Sequence, residues 1–225
     1  MAKVNGMNIE VVAGRVKSVD KRTVRDKALT ILRIEGFDFS VLVWEADVAD
    51  RRSVAKQGDY VFAEGRIQSR SYEKGGEKQY VTEIIAHRVT NLSEGKAGNA
   101  AFAIGNLGRT PSMRYTSSGK AVTNVSLAAT TFGMDRPEWL NLVAWEKVAE
   151  VMNEYLEKGN RISVAGRLIR STWKGTGENE GKTFHRTKFV VNDMLMLGGA
   201  SRSDGNGYNS APPEMDEEEL DQIPF

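Results

Sequence analysis

The stretch VWEADVADRRSVAKQGDYVFAEGRIQSRSY (43–72) can be laid over AWEKVAEVMNEYLEKGNRISVAGRLIRSTW (144–173) at a constant offset of 101, without a gap. Trp44 falls on Trp145, Glu45 on Glu146, Gly58 on Gly159, Gly65-Arg66 on Gly166-Arg167, and Tyr72 on Trp173. Upstream, KALTILRI (27–34) matches KAVTNVSL (120–127), and Gly14 matches Gly105. Identities are few, but the order of features is the same. A repeat of this length marks two copies of one supersecondary unit. The reading is two domains, 1–95 and 99–199, joined by the polar SEGKAGN (93–99).

Each copy has the same coarse pattern. Two β-rich runs come first: NIEVVAGRVKSV and ALTILRI in copy one, AAFAIGNLG and AVTNVSLAATT in copy two. A third strand follows, FSVLVW or WLNLVAW, and then one short helix. In EKVAEVMNEYL the residues Val148, Val151, Met152 and Tyr155 recur at helical spacing, which predicts an amphipathic stripe. Gly159, after Glu157-Lys158, is a helix stop. ADVADRRSVAKQG is a poorer helix with its stop at Gly58. A long strand with an internal glycine comes next (Gly65, Gly166), then a Gly/Lys-rich turn and a last strand. Glycine inside a long strand suits a bend around a small barrel. Five strands with one helix between the third and fourth is the order of the OB fold. The expected fold is all-β: two tandem OB-fold barrels of five strands and one short helix each. Some other small β-barrel is the alternative.

The remaining residues, 200–225, change character. SRSDGNGYNSAPPE is nearly free of apolar residues and reads as a disordered linker. MDEEELDQIPF then combines an acidic run with Ile-Pro-Phe. This segment is either an idle solvated tail or a peptide ligand for another protein. The formal net charge of +1 hides an asymmetry: residues 201–225 carry −6, residues 96–200 carry +5 and residues 1–95 carry +2. A mildly basic body suits a polyanion and an acidic tail suits a different partner, although so modest an excess does not establish nucleic-acid binding.

Several classes are disfavoured. There is no apolar run of the length a transmembrane helix needs, so no membrane partner is expected. MAKVNGMNIEVVAGRV does not read as a signal peptide. The absence of Cys excludes disulfides and thiolate metal sites and fits a reducing cytoplasm. The two His, His87 and His185, form no metal or catalytic pattern, GTGENEG (175–181) sits between strands rather than before a helix, and no Walker A sequence occurs. No catalytic residues, metal or cofactor are expected.

Strand period points to one face of copy two. In 161–173, Arg161, Ser163, Ala165, Arg167, Ile169, Ser171 and Trp173 alternate with Ile162, Val164, Gly166 and Leu168. In the third strand Trp139, Asn141, Val143 and Trp145 lie opposite Leu140 and Leu142. Tryptophans therefore fall on faces where a core does not need them. Single strands are held by aromatic stacking on bases and by cations tracking the phosphates. Arg114, Arg167, Arg170, Lys174, Arg186 and Lys188 are candidates for that track. The competing readings are that each Trp plugs a barrel end and that the cations are ordinary solvated surface.

IGNLGRTPSMRYTSSGKAV, PEWLNLVAWEKVAEVMNEYLEKGNRISVAGRL and RSTWKG resemble the bacterial single-stranded DNA-binding protein (SSB) family along nearly the whole second domain. LDQIPF resembles that family's acidic Ile-Pro-Phe tip. The resemblance implies base stacking by Trp139, Trp145 and Trp173, phosphate contacts near Arg114 and Lys174, and stacking by His185. It also implies docking of replication, recombination and repair enzymes on Asp221, Ile223, Pro224 and Phe225. The hairpin FGMDRP is short and lacks the family's Trp, with Phe132 as the candidate substitute, and Gln222 stands where an acid is common. Copy one diverges further: Arg15 replaces Asn106, EGFDF is very short and Tyr72 replaces Trp173. Its candidate contacts are Trp44, Arg66, Tyr72 and Tyr80. Two-domain members of the family form dimers with four OB domains, so a homodimer in the cytoplasm, at the nucleoid, is the expectation. An RNA-binding OB protein and an OB assembly scaffold remain as alternatives.

Overall fold

The computed structural model describes residues 6–45, 55–74, 77–131, 136–174 and 183–198, excepting the side chains of 71–74, 77–80, 173, 183 and 184. The chain divides into two compact units, one of Ile9–Ala101 and one of Met1–Asn8 with Phe102–Phe225. The division lies a few residues beyond the SEGKAGN segment, and the first eight residues group with the second unit. Gly6 shows why: a Cβ there would meet the carbonyl oxygen of Ile104 at 2.3 Å, so backbone packs on backbone.

The first unit is built from β1 (Met7–Val24), β2 (Lys27–Ile34), β3 (Ser40–Trp44), β4 (Tyr60–Lys74) and β5 (Glu77–Leu92). The strand order β2-β3-β5-β4-β1 closes through a β1–β2 pairing. All neighbours are antiparallel except β3 and β5. The second unit holds β6 (Gly98–Leu107), β7 (Met113–Tyr115), β8 (Ala121–Ala129), β9 (Glu138–Trp145), α1 (Glu146–Tyr155), β10 (Arg161–Lys174) and β11 (Thr183–Gly198). The order β6-β10-β11-β9-β8 closes through β6–β8, and β9 and β11 again pair in parallel. Both units are therefore OB-fold barrels. The short β7, hydrogen-bonded to β8, is an addition of the second barrel.

The repeat extends to individual hydrogen bonds. In the first barrel Val16 N–H donates to the Asp59 carbonyl and Gly58 N–H to the Val16 carbonyl; in the second, Leu107 and Asn160, and Gly159 and Leu107, do the same. The Asp59 carboxylate accepts from the Lys56 N–H and the Asn160 amide oxygen from the Glu157 N–H. Gly58 and Gly159 both adopt left-handed backbone, with φ of 91° and 87°. Even the Arg15-for-Asn106 replacement conserves a contact: Arg15 Nη1 donates to the Gly58 carbonyl at 2.7 Å and Asn106 Nδ2 to the Gly159 carbonyl at 2.9 Å.

The core of the second barrel is the inward side of β8–β9, where Val125 faces Leu142 and Leu127 faces Leu140, joined by Ile162, Val164 and Phe189. The first barrel uses Leu32, Val41, Ile67 and Ile84 in the same way. Helix α1 buries Ala149 and Met152, with Leu156 just beyond it. The apolar stripe is thus rotated from the Val148–Tyr155 line: Val148 and Val151 are half-buried and Tyr155 is 59% exposed. Copy one's helix reading falls mostly on 46–54, outside the described residues, and its last residues, 57–58, form a turn.

One core position breaks the polar–apolar rule. Glu10, on β1, is fully buried and neither carboxylate oxygen has a hydrogen-bond partner among the described residues. Burial pushes its carboxyl up from 4.5 to about 9. The folded form therefore holds a proton that the unfolded chain releases above pH 4.5. This raised value makes stability full in acid and lost progressively as pH rises toward 9, by at most about 1.4 kcal/mol per pH unit. Glu10→Gln is expected to remove that decline. Urea melts at pH 5 and pH 8 check it: wild type loses stability between the two and the variant does not.

Candidate nucleic-acid interface

The outward side of β8–β9 is the reverse of the core pairs. Val122 faces Trp145, Asn124 faces Val143, Ser126 faces Asn141 and Ala128 faces Trp139. The surface continues onto β11 and β10, because Val190 pairs with Val143 on one side and Arg167 on the other. It continues onto β7, where Arg114 pairs with Val122. One sheet face therefore brings together Trp139, Trp145, Arg114 and Arg167. Six residues of strand separate the two tryptophans, or ~20 Å along β9, room for several stacked bases.

Both rings are half-buried. Trp145 packs on Val122 and Val143, with Ile169 against the same cluster. Trp139 lies over Gly108, where an added Cβ would meet ring atom Cζ3 at 2.6 Å. The glycine of IGNLG is thus a seat for the indole. Each ring keeps an accessible edge while its inner side is held, a pre-ordered arrangement that lowers the entropic cost of stacking. Trp44 is likewise half-buried on the outward face of β3, opposite Leu29.

The cations distribute less simply. Arg114 is exposed and Arg167 half-exposed, its Nη1 3.5 Å from Asn192 Oδ1. Arg170 and His185 lie on the opposite side of the β10–β11 hairpin: Arg170 pairs with Thr187, and Thr172 with His185, whose Nδ1 is 2.9 Å from the Thr172 hydroxyl. Lys174 is exposed near the hairpin tip, and Arg186 is half-buried on β11. Lys188 corrects the sequence reading. It is fully buried, not part of an open phosphate track. It pairs with Ile169 on the outward face, the side of Val190 and Arg167, and is covered there. Arg66 is half-buried on β4, opposite Ile85.

The side chains of Tyr72, Tyr80 and Trp173, and all of Phe132, lie outside the described residues, as do Asp221, Ile223, Pro224 and Phe225. The strand backbone does pair position 173 with Phe184 and position 72 with Gln79. Tyr115, beside Arg114 on β7, is 68% exposed and was missed from sequence. Its signal was an aromatic next to a cation in RYTSSGK, hidden because β7 itself was not foreseen. Among the described residues no group of His, Asp or Glu could hold a metal ion, and no helix is long and apolar enough to cross a membrane.

Comparison with known proteins bears on this geometry. The single-stranded DNA-binding protein 1 of Chlorobaculum tepidum is 35% identical over 120 residues, 50% of this chain and 72% of that protein. A single-stranded DNA-binding protein of Xanthomonas campestris pv. campestris is 38% identical over 108 residues, 45% of this chain and 61% of the relative. The crystal structure of a deletion mutant of the single-stranded DNA-binding protein from Thermus aquaticus superposes with a TM-score of 0.69 at 25% identity, covering 94% of this chain and 99% of that one. The model of the Single-strand binding protein family matches residues 33–92 and, separately, 98–197. Matched in two tandem stretches that together span more than half its length, the chain belongs to the Single-strand binding protein family.

Proposed function

We propose that this protein binds single-stranded DNA, without catalysis and largely without regard to sequence, during replication, recombination and repair. The observation that carries this reading is the outward face of β9, with half-buried Trp139 and Trp145 flanked by Arg114 and Arg167. Bases stack on the rings and phosphates follow the cations. Trp173, Phe132, Lys174, His185 and the exposed Tyr115 extend the contact in the second barrel; Trp44, Arg66, Tyr72 and Tyr80 do so in the first. Two chains pair as a homodimer to supply four barrels, and the protein works in the cytoplasm on the nucleoid. The family and the names of its relatives support this reading.

The test is competition for a labelled oligo-dT strand, read by fluorescence anisotropy. Unlabelled DNA of the same length competes fully, while duplex competes poorly. A matched RNA strand competing as well as DNA would replace this reading with RNA binding.

Residues Asp221, Ile223, Pro224 and Phe225 recruit partner enzymes. A partner pocket buries Ile223, Pro224 and Phe225 while cations at its rim meet the acidic run. The same acidity makes the tail compete with DNA for the basic face, so bound DNA frees it. Phe225→Ala is expected to abolish partner capture and leave DNA affinity unchanged. Partner affinity rises when the protein is saturated with single strands; an unchanged value would refute the competition.

A further inference from the structure

The outward faces of the two barrels differ in charge at one equivalent site. Glu83 precedes Ile84, which pairs with Val41; Lys188 precedes Phe189, which pairs with Leu142. Val41 and Leu142 are partners in the 101-residue repeat. On the other side Glu83 pairs with Gln68 and Lys188 with Ile169, again repeat partners. Both side chains sit in the sheet, at 5% and 0% exposure. At this point one barrel carries an acid and the other a base.

The acid engages a cation of its own face. Arg66, Gln68 and Arg70 alternate along β4, so both arginines share the side of the sheet that holds Trp44. Arg70 Nε donates to Glu83 Oε2 at 2.7 Å and Nη2 to Oε1 at 2.9 Å. Its side chain is 49% exposed, while that of Glu83 is only 7% exposed. This fork-on-carboxylate geometry is the one a phosphate would seek from the same guanidinium. For a phosphate to take Arg70, the buried Glu83 carboxylate would have to lose its partner, which is costly. The second barrel has Ser171 at the position of Arg70 and no comparable acid on that row.

We infer that Glu83 is a specificity-determining residue: by occupying Arg70 at the site where the second barrel carries Lys188, it weakens the first barrel's hold on phosphate and makes the second barrel the primary strand-binding face. This rests on the single-strand-binding reading above. The first barrel then engages a strand mainly by stacking, after the second has captured it.

The test uses the full chain with Trp139, Trp145 and Trp173 changed to Phe, leaving Trp44 as the sole tryptophan and a reporter of the first barrel. Its fluorescence is titrated with a long oligo-dT at 50 and 200 mM salt, with and without Glu83→Gln. Releasing one phosphate contact steepens the slope of log affinity against log salt by about 0.7. Glu83→Gln therefore binds more tightly at low salt, and its advantage shrinks by about 2.6-fold between the two concentrations. Equal or weaker binding with an unchanged slope, in a variant whose melting shows it folded, would overturn the inference. Should the single variant not fold, Arg70→Gln/Glu83→Gln decides instead: a wild-type slope supports the inference, and a slope reduced by about 0.7 overturns it. If the unmodified chain bound no single strand at all, the binding reading would fall and this inference with it.

Discussion

Trp139→Ala is expected to lower affinity for oligo-dT by roughly 5- to 150-fold, the equivalent of ~1–3 kcal/mol for one base stack. The ring lies on the outward face of β9, across from Ala128, with Gly108 as its seat. Its core-facing neighbours Leu140 and Leu142 stay in place in the variant, so the barrel keeps its packing. Stacking is insensitive to salt compared with phosphate contact, so the loss persists as salt rises. Anisotropy titrations and a thermal melt on the same preparation separate the two roles. A barrel plug would show the reverse result, with a large fall in stability and an unchanged affinity.

Gly166→Val is expected to cost ~3 kcal/mol or more of stability, because it overpacks a strand bend with no side chain able to yield. A Cβ at Gly166 would meet the Val190 carbonyl oxygen at 1.9 Å and Phe189 Cε1 at 2.9 Å. The register of β10 on β11 slips between Ala165 and Gly166, so the glycine sits at the bulge that bends the strand around the barrel. The first barrel repeats the device. Its β4–β5 register slips between Glu64 and Gly65, and a Cβ at Gly65 would meet the Ile85 carbonyl oxygen at 2.3 Å. Urea unfolding measures the effect. Strand binding falls as well, since Arg167 follows the bend and its neighbours carry the face.

These two sites also mark how far the sequence could be read. The paired glycines at the 101-residue offset declared both the duplication and the bend, because a local backbone need leaves a local residue signal. Alternation along β9 placed Trp139 and Trp145 outward for the same reason. Facts that depend on what lies across a sheet were not legible. Lys188 reads as an open cation, yet across from Ile169 on the outward face it is fully buried. Arg170 reads as part of one track with Arg167, yet an odd number of strand residues apart it lies on the other side of the hairpin. The Arg70–Glu83 pair joins residues on two strands, and no periodicity within either strand announces it. The stripe of α1 is rotated because small Ala149 joins Met152 against the core, while Tyr155 stays in solvent. Nothing within NIEVVAGRVKSV marks Glu10 as a core position, because its burial comes entirely from tertiary packing.

Base stacking on the tryptophan face is the core of the proposed function. Its most direct measurement is the intrinsic tryptophan fluorescence of the unmodified chain, titrated with a long oligo-dT at low and high salt and with duplex of equal length. The expected result is strong quenching by single strands that survives high salt, with little response to duplex. Absence of quenching, or an equal response to duplex, would contradict it and leave the tryptophans as barrel plugs.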